Sequence, residues 1–132
     1  MRNRMRVNIL AAMVIAAISS PAVAQDQAAG ELVFKQCNIC HQVGENARNE
    51  VGPILNGIIG KKAGTAPDYE YSPAFKNVSL VWDDSSLKEY IKDPKSMFPG
   101  TKMAFAGLKD ERKIADLLAY LTKFTADGKR PH

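Results

Sequence analysis

Residues 37–41 read CNICH and hold both cysteines of the chain. Two thiols three positions apart, followed at once by an imidazole, suit three kinds of chemistry: a dithiol redox pair, one corner of a zinc site, or covalent capture of a haem. The rest of the chain separates them. Zinc wants four ligands in a tetrahedron, usually two separated pairs or one pair and two later donors. Beyond Cys37 and Cys40 the sequence offers His41, adjacent to a ligand already used, and His132 at the far end. A thioredoxin-like pair opens a helix after a strand, where the helix N-terminus lowers the pKa of the first thiol. Here the cysteines follow a helical stretch, and no sheet is legible around them. Covalent haem fits better: each thiol can form a thioether to one porphyrin vinyl group, and His41 is then brought over the iron as an axial ligand.

The N-terminus supports an exported chain. Arg2, Arg4 and Arg6 form a positive region, Val7–Ile18 an apolar run, and Ala22-Val23-Ala24 a small-x-small cleavage pattern, so residues 1–24 read as a cleaved secretory signal peptide. The run is short of the roughly 20 residues that span a bilayer, which disfavours a retained anchor. Residues 25–132 are then one small domain of about 108 residues, with the periplasm its address in a bacterium. Of the 18 basic residues the leader removes three, leaving 15 against 14 acidic ones, a formal charge of +1 rather than +4. Bulk charge therefore gives no footing for nucleic-acid binding. One possible bridge between cysteines so close together closes no useful loop, and a buried cofactor would better complete a core of this size.

The residues before Cys37, DQAAGELVFKQC, predict a short helix running into the motif. Residues 42–66 predict loop: the stretch VGENARNEVGPILNGIIGKKAGTAP has five glycines and no sustained period. So long an irregular segment in a compact domain ordinarily wraps something. One or two helical turns are expected from Pro73, a helix with an Asp83 or Asp84 cap and a Leu87, Tyr90, Ile91 face, and a stop at Pro94. Ile114, Leu117, Leu118 and Leu121 give the clearest helical stripe, opened by Asp110 and Glu111 and followed by Lys123. No strand or repeat is legible, and the tail TADGKRPH is expected to fray. The fold class is all-α, with short helices and long loops around a covalent haem.

A second axial ligand can be narrowed by elimination. Met1, Met5 and Met13 leave with the leader, so Met97 and Met103 remain. Met103 lies just past the Pro99-Gly100 turn, on a loop able to present its sulfur, whereas Met97 suits packing. His132 is the third candidate, and a chain end is hard to hold in place.

The chain resembles the class I cytochromes c, with the bacterial cytochrome c2 group nearest. Gly30 and Phe34 precede CNICH as in the c2 pattern, GPILNG (52–57) matches Gly-Pro-x-Leu-x-Gly, and DPKSMFPGTKM (93–103) nearly reproduces the family's segment ending in the methionine. The resemblance runs from about Gly30 to Tyr120. It implies that the Pro53 carbonyl accepts the His41 Nδ1 proton, that Tyr71, Ser72 and Trp82 partner a haem propionate, and that Tyr90 lies near the Met103 sulfur. It also implies that Gly30 and Tyr120 mark a close crossing of the first and last helices. Lys61 stands where the family usually has arginine, and a point-charge ammonium lacks the bidentate fork. Phe75 replaces a common asparagine, drying one side of the pocket, and Gln36 replaces a common lysine, thinning the basic ring at the haem edge.

The resemblance further implies a non-enzymatic, monomeric one-electron carrier. His41 and Met103 would fill both axial positions and favour reduced iron. Partners would be membrane complexes such as cytochrome bc1 and a terminal oxidase, met weakly through Lys95, Lys102 and Lys109 around an apolar Phe105. A haem enzyme or gas-binding sensor in which Met103 does not ligate, or comes off easily, is the alternative, and a thiol oxidoreductase the third.

Overall fold

The computed structural model describes residues 26–130. The expected leader, its cleavage point and His132 lie outside the described residues. Helix α1 spans Gln27–Phe34 and is capped by the Asp26 carboxylate, which accepts from the N–H groups of Ala28 at 2.9 Å and Ala29 at 3.0 Å. A short 3₁₀ turn follows at Pro73–Phe75, then α2 over Asp84–Lys92. Asp83 and Ser86 close a reciprocal cap on α2, with the Ser86 N–H on the Asp83 carboxylate at 2.7 Å and the Asp83 N–H on Ser86 Oγ at 3.0 Å. Pro94 ends α2 and also opens a further helix, α3 (Pro94–Met97). A proline at the first helical position lacks only an N–H that would have been orphaned, and Asp93 caps Ser96.

Helix α4 spans Glu111–Leu121 and crosses α1 at Gly30. A Cβ on Gly30 would lie 1.9 Å from the Asp116 carbonyl oxygen and 2.8 Å from Tyr120 Cβ, so only glycine permits this approach. Phe34 and Tyr120 pack their rings at 5.4 Å beside the crossing. The expected stripe Ile114, Leu117, Leu118 and Leu121 is buried, each side chain contributing about 1.5–3 kcal/mol. Buried Asp116 fastens the two helices, accepting from the Asp26 N–H at 2.9 Å and Arg112 Nε at 3.1 Å. The Asp26 amide first, and Arg112 with it, hold the Asp116 carboxyl below its ordinary value.

Sequence-local polar groups fix the loops. Asn56, 6 % exposed, accepts the Gly44 N–H and donates to the Gly44 carbonyl, both at 2.9 Å. Segments 60–63 and 80–82 pair through Gly60 to Trp82, Trp82 to Lys61 and Ala63 to Leu80 backbone bonds, with one antiparallel bridge, Lys62 to Val81, and no longer strand among the described residues. The tail does not fray over its described part. The Thr125 N–H bonds the Lys129 carbonyl at 3.0 Å, and Gly128 is buried so tightly that a Cβ would fall 2.1 Å from the Gly44 carbonyl oxygen. The loop 42–57 is thus closed from inside by Asn56 and from outside by the C-terminal turn.

Candidate haem-binding site

The motif is carried on a continuation of α1. Backbone bonds from Cys37 to Phe34 at 2.7 Å, Cys40 to Cys37 at 3.0 Å and His41 to Cys37 at 2.9 Å prolong helical turns past Phe34. Positions i, i+3 and i+4 share a face, so Cys37, Cys40 and His41 look into one cavity of about 430 Å³. Burial, with Cys40 adding, pushes the Cys37 thiol up to about 11, opposite to the depressed value a redox nucleophile needs. Among the described residues no group of three or more His, Cys, Asp or Glu side chains is arranged to hold a metal ion by itself.

His41 is fixed from two sides. Its Nδ1 lies 2.7 Å from the Pro53 carbonyl oxygen, so Nδ1 carries the proton and Nε2 is left free to coordinate. The backbone of Gly52 lies flat against the ring, where a Cβ would sit 2.4 Å from Cε1. Burial lowers the His41 pKa, with the Pro53 bond opposing, so the imidazole is neutral as a metal ligand must be.

Met103 lines the same cavity, and Met97 does not; Met97 packs against the core instead. The Met103 N–H donates to Thr101 Oγ1 at 3.3 Å, and Thr101 Oγ1 meets the Tyr90 hydroxyl at 3.2 Å. Tyr90 therefore reaches the Met103 segment through Thr101. Much of the remaining wall is apolar, including Leu55, Ile58, Leu87, Ile91 and Leu121. Phe75 lies at the centre of an aromatic cluster, 4.5 Å from Phe98, 5.7 Å from Tyr71 and 5.8 Å from Tyr90.

Polar groups with donors to spare also line this space. Ser72 Oγ is buried and has no hydrogen-bond partner, an arrangement that is costly unless a ligand supplies an acceptor. The Tyr71 hydroxyl accepts the Ala66 N–H at 3.0 Å, and burial raises its pKa against that bond, so its own proton remains available. Trp82 lines the cavity too, as does Lys61, whose ammonium donates to the Asn56 carbonyl at 3.0 Å. A largely apolar cavity lined by two thiols, an imidazole, a thioether and an orphaned buried hydroxyl fits a haem with its propionates. Of the three rim lysines only Lys102 lines the cavity; Lys95 is exposed on α3, and Lys109 donates to the Lys92 carbonyl.

Tyr69 is a rim residue that the sequence reading passes over. Its hydroxyl donates to the Val51 carbonyl at 2.7 Å. The only signal for it in the sequence is its place two residues before Tyr71, at the close of the long loop.

Fold and site together define a small all-α protein of the c-type haem class. No protein-family model matches the chain, but individual proteins do. It is 51% identical over 126 residues to cytochrome c2 of Blastochloris viridis, covering 96% of this chain and 99% of that one. It is 56% identical over 102 residues to cytochrome c-550 of Bradyrhizobium diazoefficiens, covering 77% of this chain and 75% of that one. Among solved structures, cytochrome c2 from Rhodospirillum centenum superimposes with a TM-score of 0.72 at 38% identity, over 76% of this chain and 98% of that one. Cytochrome cH from Methylobacterium extorquens gives 0.69 at 46% identity, over 74% and 97%. The chain belongs to the class I c-type cytochromes, in the cytochrome c2-like group. It is accordingly an electron carrier with covalent haem c rather than an enzyme.

Proposed function

We propose that residues 25–132 form a soluble, monomeric periplasmic one-electron carrier, exported by the 1–24 signal and ligated His/Met. Cys37 and Cys40 would hold the haem by thioethers, and His41 and Met103 would ligate its iron. The bound group supplies a one-electron Fe(III)/Fe(II) couple. Pro53 keeps the His41 tautomer and ring plane; Tyr71, Ser72 and Trp82, with Lys61, receive a propionate; Tyr90 steadies the Met103 segment through Thr101. With His41 and Met103 both engaged, no coordination position is left for substrate. The observation that carries the reading is the pairing of a neutral His41, held at Nδ1 by Pro53, with Met103 on the lining of the same apolar cavity.

The partners on this reading are membrane complexes such as cytochrome bc1 and a terminal oxidase, met by weak, transient docking. Lys95, Lys102 and Lys109 steer the encounter, and Phe105 offers an apolar contact. No helix among the described residues is long and apolar enough to cross a membrane. The test is the visible and near-red spectrum of protein made with haem-attachment machinery. The weak sulfur-to-ferric-iron band is expected in wild type and Met97→Ala and lost in Met103→Ala. Haem without that band, or ready carbon monoxide binding by the reduced protein at neutral pH, overturns the ligation and favours the ligand-binding alternative.

A further inference from the structure

The segment that carries Met103 is loosely tied. Among the described residues, no backbone–backbone hydrogen bond joins residues 102–107 to the rest of the chain, so side chains must hold it. Lys102, immediately before Met103, places its ammonium 4.5 Å from the centroid of the Tyr69 ring and donates to the Glu70 carbonyl. The same Tyr69 donates its hydroxyl to Val51, two residues from Pro53. A second bond between those loops, from Asn49 Nδ2 to the Pro67 carbonyl at 2.7 Å, runs alongside. Tyr71 stands edge-on behind Tyr69, ring centroids 4.8 Å apart. One half-buried side chain therefore touches the loop that positions His41 and the segment that presents Met103.

Resting on the reading of Met103 as the second axial ligand, we propose that Tyr69 is a positioning residue: a clasp that holds the Met103 segment against the 49–53 loop and limits how often that side opens to an outside ligand. The two contacts can be separated. Tyr69→Phe removes the bond to Val51 and keeps a ring face for Lys102, while Tyr69→Leu removes both. A hydrogen bond worth about 1 kcal/mol corresponds to a roughly fivefold change in an opening equilibrium. Loss of the exposed cation–π contact adds about another two- to fivefold.

The experiment uses the haem-loaded protein in its ferric state and free imidazole as probe, with binding followed by stopped flow at imidazole concentrations low enough that opening pre-equilibrates and the entry rate follows the opening equilibrium. Val33→Ala, remote from the rim on α1, serves as a variant that lowers global stability alone. The expected result is entry about fivefold faster for Tyr69→Phe and at least tenfold faster for Tyr69→Leu, with the near-red band retained and Val33→Ala close to wild type. If wild type shows the band and resists imidazole but Tyr69→Phe enters no faster, the clasp is wrong and the His/Met carrier stands. If Val33→Ala accelerates entry as much as Tyr69→Phe, opening is global and the clasp is again wrong. If wild type lacks the band, the ligation reading fails and the clasp fails with it.

Discussion

Replacing Gly52 by alanine would place a methyl carbon 2.4 Å from Cε1 of His41 and 2.7 Å from both ring nitrogens. The ring has nowhere to go, because the turn through Cys37 and Cys40 fixes its root and the Pro53 carbonyl holds Nδ1 at 2.7 Å. Residues 51–53 must withdraw instead, taking the Pro53 carbonyl with them. Overpacking costs about 1–3 kcal/mol and the lost hydrogen bond about 1 kcal/mol. The stiffer unfolded chain of alanine offsets about 0.4–1 kcal/mol. The net loss is about 1–3.5 kcal/mol, or roughly 4–28 °C in Tm for a domain near 100 residues. Gly52 is not among the positive-φ glycines, so backbone strain adds nothing. Gly60, at φ +84 with open space around its Cβ position, provides the contrast: Gly60→Ala carries backbone strain of about 1–2 kcal/mol and leaves His41 alone. Denaturant melts and potentiometry of the haem-loaded variants separate the two. Gly52→Ala is expected to raise the potential, since a weaker bond at Nδ1 makes the imidazole a poorer donor, while Gly60→Ala is not. A Gly52→Ala protein with wild-type stability and potential would refute the steric account of how His41 is held.

Asp116→Asn should flatten the acid limb of the stability curve. A carboxyl whose folded pKa lies below the ordinary 3.8 contributes stability that is fully present above that value and is lost as pH falls through its folded pKa; wild type should therefore lose stability faster than the variant in that acid range, as read by melts at stepped pH. Ser72→Ala should cost the haem-loaded protein about 1.5–3 kcal/mol if the orphaned hydroxyl donates to a charged propionate, measured by guanidinium unfolding; a neutral outcome would mean that Ser72 has no such partner. Gly30→Ala gains about 1 kcal/mol of helix propensity but drives a methyl group into backbone at 1.9 Å, and the steric cost should prevail, lowering the denaturation midpoint of the loaded protein.

What was legible in the sequence was periodic or chemically marked. The α4 stripe, the Asp83 cap and the α2 face repeat at helical spacing and needed no tertiary information. CNICH and the proline-glycine turn before Met103 are short chemical signals whose partners lie along the chain. Other features depend on contacts that no local pattern encodes. The start of α1 is set by the Asp26 cap, and the reason a glycine stands inside that helix is visible only once α4 is placed against Gly30. Pro94 was expected only as a stop, whereas its fixed φ also suits a first helical position. The tail looked polar and frayed because its anchoring group is the backbone of Gly128 on Gly44, and a backbone contact leaves no side-chain signature. Tyr69 was passed over for a similar reason, since its partner is the Val51 carbonyl, 18 residues away.

The proportions of the fold follow from what it has to hold. No described helix exceeds the 11 residues of α4, and helices this short are marginal in isolation. The α1–α4 crossing supplies one packed contact, but the apolar faces of α2 and part of α4 (Leu87, Ile91 and Leu121) line the cavity, where the covalent haem completes the core. Long segments with little regular structure are tolerated because their polar groups are closed locally: Asn56 on Gly44, Asn49 on Pro67, Tyr71 on Ala66. These closures also serve the carrier. Electron transfer is fastest when the two oxidation states share one geometry, and a ring wedged between Gly52 and Pro53 has little freedom to change it. Rigidity is built into the His41 side by backbone. On the Met103 side it depends on the side chains of Thr101, Tyr90, Lys102 and Tyr69, which makes that side the one expected to open first.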